Sequence, residues 1–286
     1  MTDTAIRDKI QDALNQCGNS GDFVAAAGDL LKALEYESDR RLDGNGDARQ
    51  FIATFRAPHK NTHSEKRFVD AVASVRIVFQ FAESEISRNL FAGKKFDQGK
   101  IKSFLFFAVI LRGEKYGRHQ YAEFTREINK RFAMPAVVLF LCRRNDTARL
   151  TLAFAGRRPS IMDSSRQVLQ KISLLREIKC DKTHQGHLRI LEQLTFSRRL
   201  QWMTDNKLEE NFDGLLAAWL DELDAEALNK RFYKDLLKWF IATVQTIKIP
   251  ATGKNPPGKE EFVIRLINRV LFIWFLKQKG LVEPEL

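Results

Sequence analysis

Cysteine is sparse and poorly placed for chemistry. Cys17, Cys142 and Cys180 are odd in number and form no Cys-x-x-Cys pair, which argues against a disulfide framework and a structural zinc site and makes reduced thiols the expected state. Long apolar runs are missing too. No stretch of about 18 uncharged apolar residues occurs, and Arg7, Asp8, Lys9 and Asp12 stand where a secretory leader keeps its apolar core. A cytoplasmic protein with no membrane partner is expected. Also absent are Gly-x-Ser-x-Gly, Walker A, His-Glu-x-x-His and the dinucleotide fingerprint, which removes the usual hydrolase, nucleotidase, metalloprotease and dehydrogenase readings.

The chain has 286 residues, 44% hydrophobic and 29% charged, the balance of a folded soluble protein with one large domain or two ordinary ones. Its net charge is +11. That surplus is local: residues 94–202 carry 23 Lys and Arg against 9 Asp and Glu, residues 1–93 carry 12 against 14, and residues 203–286 carry 12 against 13. A middle third this basic points to a polyanionic partner.

Apolar residues at three- and four-residue spacings predict helices over 4–17 and 22–36, the second with Asp22 as N-cap. Residues 64–80 read as a helix passing into a strand. FLFFAVIL at 104–111 is a buried strand, AVVLFLC at 136–142 a second and LTLAFA at 150–155 a third. A helix over 119–132 ends before Pro135, and Arg144-Asn145-Asp146 is a turn. Strand, helix, strand predicts a parallel pair, and the short turn an antiparallel addition. Beyond Pro159 the spacing is helical, over 164–178, 186–196, 212–223, 224–249 and 259–279. The last of these is apolar on more than one face and needs neighbours on several sides. The expected fold class is α+β, a small mixed β-sheet with flanking helices followed by a long helical extension. Its expected divisions are a helical segment 1–60, a sheet-containing core 61–160 and the extension 161–286. Because Leu286 stands close behind so apolar a helix, a piece of something longer is expected.

Few residues are arranged for catalysis. His184 and His187 are i, i+3 and His59 and His63 i, i+4, but no second pair completes a metal site, and helix-entry polar residues is the reading for the first pair. Asp43-Gly44-Asn45-Gly46-Asp47 opens like a calcium loop and lacks its glycine and distal glutamate, so a turn is expected. Asn255-Pro256-Pro257 is followed by Gly258, where an adenine methyltransferase places an aromatic ring against the flipped base, and reads as an interhelix loop. A restriction-type nuclease needs an acid and an acid-x-lysine around Mg²⁺. The best-placed strand ends Ile110-Leu111-Arg112, with Glu114 and Lys115 beyond it, and Glu177-Ile178-Lys179 closes a predicted helix. No catalytic residue and no metal ligand is expected.

The cations fit DNA better. Arg112, Lys115 and Arg118 follow the first buried strand, and Arg126, Lys130 and Arg131 lie on the next helix. Arg143, Arg144 and Arg149 surround the hairpin, and Arg157 and Arg158 follow the third strand. Such side chains position a duplex by its phosphates without reading its sequence. Charge alone fits a solvated basic face equally well.

Eight stretches together resemble the N-terminal region of the large fused type II (type IIG-like) restriction-modification adenine methyltransferases, including phage-defence relatives. They are SVRIVFQF at 74–81, FLFFAVILRGEKYGR at 104–118, FTREINKRFAMPAVVLF at 124–140 and RLTLAFAGRRPS at 149–160. VLQKISLLREI at 168–178, HQGHLRILEQLTF at 184–196, ALNKRFYKDLLKWF at 227–240 and LINRVLFIWFLKQKGLV at 266–282 complete them. In that family the region precedes an S-adenosylmethionine-dependent adenine methyltransferase domain and a target-recognition domain. The resemblance therefore implies double-stranded DNA and the parent chain's methyltransferase domain as partners, with S-adenosylmethionine a cofactor of the parent and none in this chain. It implies a DNA-engaging and docking module that is non-catalytic by itself. The family's first strand often ends Glu-Leu-Lys, where this chain has Ile110, Leu111 and Arg112. A degenerate or atypical nuclease domain and a protein-interaction scaffold are the alternatives.

Overall fold

The computed structural model describes residues 3–42, 44, 46–57, 62–87, 95–159, 167–223, 225–248, 258–278 and 281. Two compact units divide the chain, Met1–Asp224 and Ala225–Leu286.

The first unit is α+β. Its sheet contains β1 (Val72–Ala82), β2 (Ser103–Leu111), β3 (Ala136–Arg144), β4 (Thr147–Pro159) and β5 (Gln167–Lys179), in spatial order β1-β2-β3-β4-β5. β2 and β3 are parallel, and the other three pairings are antiparallel. The parallel pair requires a crossover, supplied by α6 (Arg118–Asn129). Between β3 and β4 a two-residue turn puts Asn145 and Asp146 at φ 46° and 60°, the left-handed pairing that matches strand twist.

The run FLFFAVIL has no polar side because both faces of β2 are covered. Phe104, Phe106 and Ala108 belong to one core with α1 (Asp3–Asn19), α2 (Phe23–Ala33), α7 (Gln185–Gln193), α8 (Phe196–Asp205) and α9 (Phe212–Glu222). Leu105, Phe107, Val109 and Leu111 belong to the other, with α3 (Ala48–Thr54), α4 (Thr62–Ala71) and α6. Asp22 caps α2 through bonds from Val24 N and Ala25 N at 3.0 and 3.3 Å. A short α5 (Glu83–Ile86) follows β1, and α4 runs straight into β1 at Ala71/Val72.

At the centre of the first core, the Tyr36 hydroxyl donates to Leu194 O at 2.8 Å and accepts from Trp219 Nε1 at 2.7 Å. Phe81, Phe106 and Phe196 pack around its ring at 5.6 to 5.8 Å between centroids. This hydroxyl joins the end of α7, the start of the chain and α9. The divisions expected at residues 60 and 160 are therefore corrected: α1, α2 and α7 to α9 share one core on one face of the sheet, and the break between compact units falls at Asp224/Ala225.

A second correction concerns residues 164–178, expected as a helix. The described part is β5, a strand. Ile178 pairs with Leu150 and Leu175 with Leu152, so Arg176 and Glu177 stand opposite the single Thr151. Glu177, at φ 59°, is the extra residue of a bulge. The insertion turns Leu175 and Ile178, three apart, onto the same core, and a three-residue spacing imitates a helix.

The second unit contains α10 (Ala225–Thr246) and α11 (Lys259–Gln278), as expected for the extension. Along α11 the consecutive residues Val270, Leu271, Phe272, Ile273, Trp274 and Phe275 are each 38 to 61% exposed. Asn255-Pro256-Pro257 lies outside the described residues, as do Asp43, Asn45 and His59.

Replacing Tyr36 by Phe leaves Trp219 Nε1 and Leu194 O buried without this partner. The expected loss is roughly 2–6 kcal/mol, from about 1–3 kcal/mol for each orphaned group, read as a lower urea midpoint of the first unit's transition with an unchanged slope.

Candidate nucleic-acid interface

Strand direction decides where the basic residues go. The C-terminal ends of β2, β3 and β5 and the N-terminal end of β4 all lie at one end of the sheet. Arg112, Lys115 and Arg118, in the passage from β2 to α6, are delivered there together with Arg143, Arg144 and Arg149. Lys179, the last residue of β5 and the partner of Arg149 in the ladder, joins them. Arg112, Lys115, Arg118, Arg143 and Lys179 are exposed and Arg144 is half-buried, with Glu114 and Asp146 the exposed acids of the same loops.

The loop that carries Arg112 and Lys115 is held in place. Arg112 N donates to Ala71 O at 2.9 Å, and Gly113 N donates to the hydroxyl of Tyr116 at 2.8 Å. A Cβ on Gly113 would lie 2.8 Å from that hydroxyl oxygen, so glycine permits the approach. The Tyr116 ring packs against Tyr121 and Phe124 of α6. At α6 the Gln120 side chain accepts from Gly117 N at 2.8 Å. Among the described residues Arg112, Lys115, Arg118 and Arg126 have no ion-pair partner.

The eleven basic residues singled out in the sequence do not form one patch. Arg126 is exposed on α6, two turns or about 12 Å from Arg118. Arg131 is internal: its side chain is 1% exposed, bonded to Glu127 at 2.6 Å and Glu65 at 3.1 Å, and it donates to Phe55 O at 2.8 Å. It ties α6 to α3 and α4 and is unavailable to a phosphate. Lys130 Nζ sits 2.7 Å from the same buried Glu127. Arg149 pairs with Glu177 at 3.1 Å and holds the β5 bulge. Arg143 donates to Gly18 O at 3.0 Å, satisfying a carbonyl in the last turn of α1. Arg157 and Arg158 pair with Leu169 and Val168 where β4 has run past the last of its β3 partners, Phe154. Eight strand residues, about 27 Å, separate Arg157 from Arg149. Their side chains lie outside the description.

The other sequence candidates occupy structural positions. His184 is the N-cap of α7, its Nδ1 accepting from Gly186 N at 3.0 Å, the helix-entry role expected of it. His187 is half-buried, and burial followed by the nearby His184 pulls its pKa below the usual imidazole value. Ile110 is partly buried against the first core, and Leu111 is buried in the second. Glu177-Ile178-Lys179 lies on a strand instead of a helix end, with Glu177 engaged by Arg149. Among the described residues no three of His, Cys, Asp and Glu gather as a metal-holding group.

The three cysteines are free and buried. Burial raises the pKa of all three thiols, that of Cys180 up to about 12. The fold thus favours the neutral thiol. That contribution is complete below the ordinary value of 9.0 and is lost as pH rises from there towards about 12.

One site gave no sequence signal. A cavity of about 610 Å³ lies along the outer edge of β1, lined from three segments that surround Asp47, Arg76 and Asp97. No family model matches the chain, and neither a curated protein nor a solved structure matches it.

Two outcomes are expected. Arg131→Met lowers unfolding free energy by about 3 kcal/mol, the low end for breaking a buried pair because Lys130 still faces Glu127, and leaves the affinity of folded protein for duplex DNA unchanged. Iodoacetamide at pH 8 alkylates the three thiols slowly in the native protein and rapidly in urea, as followed by intact mass.

Proposed function

We propose that this chain is the DNA-engaging and docking module of a restriction-modification methylase. The observation that supports it best is the gathering of Arg112, Lys115, Arg118, Arg143 and Arg144, from separate loops, at one end of the sheet. Guanidinium and ammonium groups held by a rigid scaffold exchange condensed counterions for direct phosphate contact, without base recognition. Arg126 extends the same charge along the outer side of α6. In this reading Arg131, Lys130 and Arg149 are structural, and Arg157 and Arg158 form a separate contact at the far end of β4.

The docking half rests on α11. Exposed Phe, Trp, Ile, Leu and Val side chains on several sides of this helix mark surface that a partner covers, and the resemblance makes that partner the parent's methyltransferase domain, with S-adenosylmethionine the parent's cofactor. The chain alone is expected to transfer no methyl group from S-adenosylmethionine to duplex DNA, and product carrying the label would overturn the division of labour.

Fluorescence anisotropy of a labelled duplex, titrated over a range of salt, tests the phosphate contacts. Removing Arg112, Lys115 and Arg118 together is expected to reduce the slope of log K against log salt by about 2 to 3, near 0.9 per phosphate lost, equally for unrelated sequences. An unchanged slope rejects this end of the sheet as the contact. Removing Arg157 and Arg158 weakens only duplexes long enough to span about 27 Å, roughly eight base pairs at 3.4 Å each.

A further inference from the structure

The cavity beside β1 has a divided lining. Phe51, Phe55 and Phe96 with Val75 and Ile77 make its apolar wall, continuous with the second core through Phe51 against Phe107 and Phe132. The polar residues of its lining are Asp47, Gln50, Arg76, Asp97 and Gln98.

Both carboxylates are fixed to the sheet. Asp97 is clamped through its backbone, its N–H donating to Gln80 Oε1 at 2.8 Å and its carbonyl accepting from Gln80 Nε2 at 2.7 Å. Gln80 is itself fully buried. Asp97 Oδ1 accepts from Gly99 N at 2.8 Å. On the other side Asp47 caps α3, its Oδ1 accepting from Gln50 N at 2.8 Å, and the preceding Gly46 accepts from Val75 N of β1 at 2.8 Å. Gly46 has φ 82°, and a Cβ there would lie 2.6 Å from Ser74 Oγ and 2.8 Å from Arg76 Nε. Glycine therefore lets the loop lie against β1 and leaves Arg76 its place.

The volume is ligand-sized, within the usual 300–1,000 Å³ or so. The lining chooses among ligands. Among the described lining residues two carboxylates stand against one guanidinium, a balance that disfavours an anion, and a hydrocarbon would desolvate polar groups without replacing their hydrogen bonds to water. A flat ring that stacks on phenylalanine and carries amino donors satisfies both halves, since carboxylates accept from exocyclic amino groups and amides pair with purine edges. We propose that this cavity binds a nucleobase bearing an exocyclic amino group, adenine, cytosine or guanine, with its sugar-phosphate outside. Val75, on the cavity wall, pairs with Val109, three residues or about 10 Å before Arg112. A phosphate excluded by the acidic rim thus has cationic partners within reach of the next nucleotide.

Base capture goes beyond phosphate contact and is tested on the full chain without it. In saturation-transfer NMR, adenosine, cytidine and guanosine are expected to receive magnetisation, and thymidine and ribose 5-phosphate are not. Asp97→Asn should weaken cytidine binding at least tenfold, and Thr54→Trp, which fills the cavity from the end of α3, should abolish it, both with unchanged melting temperature. Arg112→Ala should leave nucleoside binding intact. Equal transfer to thymidine, or binding that survives Thr54→Trp, overturns the proposal.

Competition identifies the source of the base. Displacement of cytidine by single-stranded DNA, or by a duplex with one unpaired cytosine, identifies a nucleotide of the polymer. Displacement by mononucleosides only identifies a free nucleoside, and either result upholds the site. Nucleoside binding without duplex binding keeps the cavity and discards the phosphate reading. Salt-dependent duplex binding without nucleoside uptake does the reverse.

Discussion

The strand β2 has no side that can face water, and the first unit is organised by that requirement. Phe104 and Phe106 point to one core, Leu105 and Phe107 to the other, each large side chain contributing about 1.5–3 kcal/mol when fully buried. A sheet so built has to be covered twice. Helices α3, α4 and α6 come from near β2 in sequence, but α1 and α2 at one end and α7 to α9 beyond β5 must meet on the remaining face. Tyr36 and Trp219, 183 residues apart and sharing one hydroxyl, are the chemical expression of that closure.

Covering the sheet also consumes charge. Arg40, 1% exposed, joins Glu85 at 3.2 Å, and Arg199, 3% exposed, faces Glu222 at 3.5 Å while donating to Ala218 O. With Arg131 on Glu127, these guanidinium groups join segments whose side chains have left water. A buried pair of this kind is costly to break and adds little net stability over an apolar replacement, so its clearest effect is on which segments meet. For function the consequence is that a count of cations overstates the field outside. Among the cations that solvent does meet are Arg112, Lys115, Arg118 and Arg143, at the end of the sheet.

The division between legible and illegible parts follows the range of the interactions. Asp22 as a helix cap, Asn145-Asp146 as a turn, and β2, β3 and β4 as strands depend on neighbours a few residues away. β5 carries a helix-like spacing because the bulge at Glu177 depends on Thr151 and Arg149 of another strand. In the candidate interface, the loop clustering of Arg112, Lys115 and Arg118 was legible, while the burial of Arg131 beneath Glu65 depends on α4 packing against α6. The cavity beside β1 was illegible altogether, since its walls come from segments around residues 47, 76 and 97 that share no spacing.

By itself the sequence determined most of the element types, β5 excepted, the mixed sheet, the concentration of positive charge in its middle third and the apolar surplus of the last helix. All of these are written in composition and period, which side-chain geometry reads one residue at a time. The tertiary structure decided which cations remain at the surface, where the boundary between units falls and whether a ligand-sized hollow exists. Those outcomes depend on strand register and helix docking between distant residues, where one inserted residue reverses the face that a side chain presents.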